Sequence, residues 1–196
     1  MTRLLLVRHG ESEWNAIGRW QGWADPPLSE LGTRQALVGA RAVGAVDAIV
    51  SSDLQRARMT ADIIASELGI GPVVVDAALR ERDAGSWTGL TRTQIETEWP
   101  GWLAEGKRPE GYEEDDSVLD RALPVLVTLE RAGEVVLVVT HGGLIGAVER
   151  SLGEPHARTP NLGGRTIDVV DGQLFPGELL LLVHEHDVHV TAPPEV

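Results

Sequence analysis

Short unbroken apolar runs alternate with amphipathic stretches along this chain. Leu4-Leu5-Leu6-Val7 leads straight into Arg8, His9 and Gly10. An apolar run of that length, closed by a turn residue, predicts a strand buried on both faces. Asp47–Ser52, Val73–Val75 and Val135–Val139 predict three more strands, and Thr166–Val170 and Leu179–Val183 two further ones, with Asp171-Gly172 as the turn between them. The stretches between carry helical periodicity. Ser29 is placed to cap a helix through Val43, with Leu31, Ala36, Leu37, Ala40 and Val43 on one face. Asp53 is placed to cap the next, which runs to Leu68 and is stopped by Gly69. Ser117–Arg131 reads as a helix kinked by Pro124, and Leu144–Leu152 as one closed by Gly153.

Two regions break the alternation. Glu13–Asp25 is rich in tryptophan, glycine and polar residues and reads as a loop with a turn of helix. Residues 82–116 mix arginines, acids, glycines and three tryptophans. Within them, Thr91 and Gln94 have capping-box spacing, which predicts a short helix ending before Pro100. The acidic run Glu113–Asp116 reads as a solvated helix start. The whole predicts a three-layer α/β/α sandwich with a mostly parallel sheet, as one domain over residues 1–196 with 82–116 inserted as a cap.

Composition narrows the function. A net charge of −13 argues against a nucleic-acid partner, because the phosphate backbone attracts a basic surface. It does not argue against small anions, which a local group of arginines can hold. Lys107 is the only lysine, so arginine carries nearly all the positive charge. No run approaches the length of a membrane span, and the first residues are too short an apolar stretch for a signal peptide. With no cysteine there is no disulfide, thiolate nucleophile or cysteine-based zinc site. A cytoplasmic protein that binds neither nucleic acid nor membrane is expected, and a homodimer is compatible with the sequence.

Two strands end alike, in Val7-Arg8-His9-Gly10 and Val139-Thr140-His141-Gly142. In a parallel sheet their carboxyl ends lie on one edge, where sites in such folds gather, so neighbouring strands would bring His9 and His141 together. The second strand leads through Ser51-Ser52-Asp53-Leu54-Gln55 to Arg56, in the first turn of a helix at that edge. A helix start with an arginine favours phosphate oxygens. Gly10 would let backbone approach a bound group closely.

These residues resemble those of the histidine phosphatase superfamily, the phosphoglycerate-mutase-like proteins. The blocks are residues 6–15 (Leu-Val-Arg-His-Gly-Glu-Ser-Glu-Trp-Asn), Gln21-Gly22, residues 27–32, residues 51–57 and Thr60-Ala61. Leu79-Arg80-Glu81 with Gly85, Trp87 and Gly89 follows, then Thr140-His141-Gly142-Gly143. The resemblance implies that His9 attacks phosphorus and becomes a phosphohistidine, which water hydrolyses. Arg8, Arg56 and His141 would share the phosphate oxygens, and the two arginines should disfavour the imidazolium form of His9. Such a cage needs neither metal nor cofactor. Glu81 is implied as the acid that protonates the leaving group, through its spacing to Gly85, with Asp83 its competitor. Asn15, Gln21, Gly22 and Gly142 match positions around the phosphate, whereas Glu11 and Ser12 fit either a substrate contact or the loop's own hydrogen bonds.

Other features invite simpler readings. Arg58, two residues beyond Arg56, faces elsewhere on its helix and reads as a surface ion-pair residue. The six tryptophans, Trp14, Trp20, Trp23, Trp87, Trp99 and Trp102, fall in the first loop and the cap and predict packing of one on the other. His184, His186 and His189 read as a strand end rather than a metal site. The expected function is a metal-independent, acid-type phosphomonoesterase acting on a small phosphorylated metabolite. The alternatives are a cofactor-dependent phosphoglycerate mutase and a catalytically silent phospholigand-binding protein. Only 60 residues separate Glu81 from His141, a short interval for the closing insertion of mutases, which favours the phosphatase. Gly111–Ser117 departs from the family pattern and leaves the substrate open.

Overall fold

The computed structural model describes residues 1–155 and 158–184. Six strands form one sheet: β1 (Thr2–Arg8), β2 (Ala48–Ser51), β3 (Val74–Val75), β4 (Val135–Thr140), β5 (Gly163–Val170) and β6 (Gln173–Leu181). Their spatial order is β3-β2-β4-β1-β5-β6. The β2–β3, β2–β4 and β1–β4 pairs are parallel; β5 runs antiparallel to both β1 and β6.

Strand period separates the two faces of the sheet. Leu4 and Leu6 face one way, onto a core shared with Val118, Ala122 and Leu126 of α5 (Asp115–Thr128) and with Leu144, Ile145 and Val148 of α6 (Gly142–Ser151). Leu5 and Val7 face the other way, onto Ala40 and Val43 of α2 (Glu30–Val43) and Ala57, Ala61 and Ile64 of α3 (Gln55–Leu68). The continuous apolar run of β1 is therefore buried on both sides, and the layers are those of an α/β/α sandwich. Two short helices, α1 (Glu13–Ala16) and α4 (Arg92–Glu98), lie in the irregular regions.

Local chemistry sets most boundaries. Ser29 accepts a hydrogen bond from Gly32 N at the start of α2, and Thr91 and Gln94 form a reciprocal capping box on α4. Asp53 does not cap α3. Its carboxylate takes a bidentate contact from Arg80 instead (2.8 and 2.5 Å), and Asp25 of the first loop accepts from Gln55 N at 2.6 Å. Helix α6 begins two residues before its predicted start, because its first turn is the Gly142-Gly143 pair. Strand β6 begins at Gln173 rather than Leu179. Pro176 and Gly177 hide its first half, yet an edge strand tolerates proline, and a register shift lies opposite between Arg165 and Ile167. Of the C-terminal histidines, His184 lies exposed after β6, and His186 and His189 fall outside the described residues. Among the described residues no helix is long and apolar enough to cross a membrane.

Candidate active site

Register brings the two histidines together. Arg8 of β1 stands opposite Thr140 of β4, so the next residue on each strand leaves the sheet at the same point. The rings of His9 and His141 meet edge to face with centroids 5.1 Å apart. The backbone of His9 is held on both sides: its N–H donates to Thr140 O (2.9 Å), and its carbonyl accepts from Asn161 Nδ2 (2.9 Å). Gly10 N donates to Thr60 Oγ1 at 3.1 Å. Gly10 is required for a close approach, but to protein: a Cβ there would stand 2.7 Å from Gly32 O of α2.

His9 Nδ1 lies 2.6 Å from Gly10 O. A carbonyl only accepts, so Nδ1 carries the hydrogen and Nε2 holds the lone pair. Arg56 Nε donates to that Nε2 at 3.2 Å. Both imidazoles are held well below the ordinary histidine value. For His9 burial is the largest cause, followed by Arg56 and Arg8; for His141 it is burial, followed by Arg56, the imidazole of His9, and Arg8. The expected effect of the arginines is present but second to desolvation. Both ring nitrogens of His141 are buried without a hydrogen-bond partner, although buried polar atoms are nearly always paired.

Arg56 lies in the first turn of α3 and is fully buried. Its Nη1 and Nη2 donate to the carbonyls of Ala24 (2.8 Å) and Gly22 (3.0 Å) in the first loop. Arg8 donates through Nη1 to Thr159 O at 2.8 Å. Burial lowers both guanidinium groups to about 10, opposed in each case by attraction to Glu81. Arg58 pairs with Asp62 one turn on, at the surface, as its position predicted.

Glu81 is half-buried at the side of this group. Its carboxylate accepts from Arg82 N (2.8 Å) and from Gly143 N (3.3 Å) at the start of α6. A Cβ at Gly143 would meet Glu81 Oε1, so a side chain there would displace that carboxylate. The competitor, Asp83, accepts from Gly85 N at 2.9 Å and holds its own turn. Asn15, Gln21, Gly22 and Gly142 border the same cavity. Asn15 also completes the capping box of α1, and Gln21 Oε1 accepts from Ser12 Oγ at 2.7 Å. Glu11 accepts from Ser29 Oγ, so Glu11 and Ser12 serve the loop.

Above the floor, residues 82–116 close one side of a cavity of about 770 Å³. Trp87 is fully buried there and packs edge to face on Trp20 of the first loop, with Ile95, Leu103, Trp99 and Trp102 around it. The acidic run does start α5, with Glu114 and Asp116 exposed, but its other two acids are engaged in ion pairs. Glu113 pairs with Arg121 (2.8 Å), and Asp115 pairs with Arg82 and with Arg150 of α6. These pairs tie the cap to the sandwich, and the contacts of Arg150 and Arg82 hold the Asp115 carboxyl down at about 2 against a smaller burial effect.

The sequence reading missed Thr159 and Asn161, which hold Arg8 and His9 from behind. Their signal was the short tract Thr159-Pro160-Asn161 before a glycine pair, which gains meaning only once β5 is known to run antiparallel to β1.

This geometry has relatives. The family model of the histidine phosphatase superfamily (branch 1) matches residues 4–170. A glucosyl-3-phosphoglycerate phosphatase from Mycolicibacterium vanbaalenii is 38% identical over 179 residues, covering 83% of this chain and 79% of that protein. A 2,3-bisphosphoglycerate-dependent phosphoglycerate mutase from Methylobacterium radiotolerans is 36% identical over 184 residues, covering 85% and 87%. The solved structure of mycobacterial glucosyl-3-phosphoglycerate phosphatase in complex with VO3 superposes with a TM-score of 0.82 at 32% identity, covering 92% of this chain and 98% of that one. The matched span takes in His9, His141, Arg8, Arg56 and Glu81. The chain belongs to the histidine phosphatase superfamily.

Proposed function

We propose that His9 is the nucleophile of a two-step phosphomonoester hydrolysis. The chain is a phosphomonoesterase, as its phosphatase relatives are. The observation that carries the role of His9 is its fixed tautomer. With Nδ1–H given to Gly10 O, Nε2 presents its lone pair beside Arg56, and burial keeps the ring neutral. In the first step Nε2 bonds to phosphorus while the bond from phosphorus to the ester oxygen breaks. Glu81 donates its proton to that departing oxygen. In the second step Glu81 takes a proton from water as its oxygen attacks phosphorus, and the bond to Nε2 breaks. Arg8, Arg56 and His141 hold the equatorial oxygens throughout, and the two unpartnered nitrogens of His141 supply a donor for them. Asn15, Gln21, Gly22 and the Gly142 N–H border the phosphate.

Turnover of p-nitrophenyl phosphate in the presence of EDTA tests this reading. His9→Ala should reduce it by at least about 10⁴-fold, since removal of a nucleophile disables the whole catalytic unit. Acid-labile radioactive phosphate should be trapped on the wild type and not on the variant. Unchanged turnover in His9→Ala would refute the assignment. The mutase relative gives a second reading, which 3-phosphoglycerate distinguishes: a phosphatase releases inorganic phosphate, whereas a mutase accumulates 2-phosphoglycerate.

A further inference from the structure

The cavity holds more positive charge than one phosphate group needs. In a chain of net charge −13, seven arginines line it. They divide by partner. Arg8 belongs to the floor, where the charge of Arg158 bears on it, and Arg82 and Arg150 share the carboxylate of Asp115. Arg19, Arg92 and Arg108 differ: among the described residues none of them makes an ion pair with an acid. Arg19 Nη1 donates to the carbonyl of Gly89 and Arg108 Nη1 to that of Lys107 (3.0 Å). Arg92 begins α4, where Glu96 one turn on would be its natural partner. That carboxylate accepts from Gly101 N at 2.7 Å instead.

The three arginines also share a place. Arg19 forms an isolated β-bridge with Thr91, the residue before Arg92. Trp20, next to Arg19, packs on Trp87 at 5.2 Å, and the guanidinium of Arg108 lies over the rings of Trp87 (5.9 Å) and Tyr112 (5.3 Å). They come from the first loop and the cap, whereas the floor groups come from strand ends and the start of α3. Trp20, Leu103, Pro109 and Tyr112 line the cavity as well and offer apolar surface to the body of a ligand. Glu114, an acid of the lining, lies beside Asp115 at the start of α5.

We infer that Arg19, Arg92 and Arg108 form a second anion subsite, so that the substrate is a phosphomonoester bearing a further carboxylate or phosphate. The inference rests on phosphomonoester hydrolysis at His9. Guanidinium forks suit either oxyanion. The floor binds the phosphate to be cleaved, and the cap arginines bind the anion that stays on the product.

The test compares esters matched except for the second charge. 3-Phosphoglycerate against glycerol 3-phosphate probes a carboxylate, and fructose 1,6-bisphosphate against fructose 6-phosphate probes a phosphate. The wild type should favour the doubly anionic member of at least one pair by about 10-fold or more in kcat/KM, and most of that ratio should vanish in Arg92→Ala and in Arg108→Ala. Because the ratio is taken within each variant, partial loss of folded protein does not move it. Arg92→Lys should keep part of the preference. Ratios within about threefold for both pairs, or a preference surviving in both alanine variants, would overturn the subsite while leaving the phosphatase intact. Failure of the wild type to turn over p-nitrophenyl phosphate and all four esters would overturn both.

Discussion

The floor of the cavity and its cap use the same side chain in opposite ways. On the floor, Arg8 and Arg56 are buried against carbonyls and imidazoles, with no carboxylate in direct contact among the described residues, and both guanidinium groups are lowered to about 10. Where the cap meets the sandwich, Arg82, Arg121 and Arg150 each contact an acid of the cap, and Asp115 is lowered to about 2. The difference separates binding from bracing. A buried cation with no carboxylate in contact weakens the fold, by on the order of 3 kcal/mol for a shift of this size, and a bound anion can offset that cost. A paired cation asks nothing of a ligand and instead fixes one segment on another.

Breaking the two regions should give different signatures. The largest effect is expected on the floor. Glu81→Gln should reduce kcat for an alkyl phosphate by about 10²–10⁴-fold. p-Nitrophenyl phosphate, whose phenolate leaves without a proton, should lose far less. Equal losses on both would move the proton donor elsewhere. Next, Trp87→Ala should destabilise the protein by about 3–5 kcal/mol, because it empties the centre of the cap cluster. The floor histidines should keep their arrangement, which vanadate binding to the folded fraction would report. Loss of less than about 1 kcal/mol would mean that the cap is not held by this core.

Two smaller effects concern pH. His9 and His141 titrate well below their unfolded value of about 6.5, so protons favour the unfolded chain. Their contribution is complete above about pH 6.5 and is lost as pH falls below it. A His141→Gln variant should therefore lose stability less steeply between pH 6.5 and 5 than the wild type, by up to about 1.4 kcal/mol per pH unit. Parallel slopes in urea melts would contradict the buried neutral ring. The smallest change is Asp115→Asn, where side chains partly open to water leave under about 1 kcal/mol to be lost at neutral pH. The carboxyl is depressed, so its contribution is present above about pH 4 and fades as pH falls towards 2. The difference in Tm between this variant and the wild type should shrink over that range.

The same contrast explains what the sequence could show. The floor was legible because chain-local signals placed Arg8, His9, Arg56 and His141, at two apolar strands ending in histidine and a helix start, whereas Glu81 was reached only through the family resemblance. Adjacency of β1 and β4 then supplied the geometry. The cap was legible only in kind. Its tryptophans announced a packed cluster, but Glu113 and Asp115 looked like ordinary solvated acids. Their partners, Arg121, Arg82 and Arg150, lie at separations that no periodicity encodes. Asp53 illustrates the reverse error. It had the right residue type for a cap, but the helix begins one residue later, with Leu54 at the capping position, and the Asp53 carboxylate went to a distant arginine.

The grip of Asn161 on the carbonyl of His9 spans 152 residues of chain. Most of the site is encoded by residue 141, yet His9 is not held from behind until β5 returns along β1. Completion of the anion site is thus expected late in folding. A chain emerging during synthesis would carry both histidines and both arginines and still lack the backstop that fixes them. Refolding followed in parallel by far-ultraviolet circular dichroism and vanadate binding should show the anion site maturing after the bulk of the helices. Simultaneous appearance of the two signals would contradict that order.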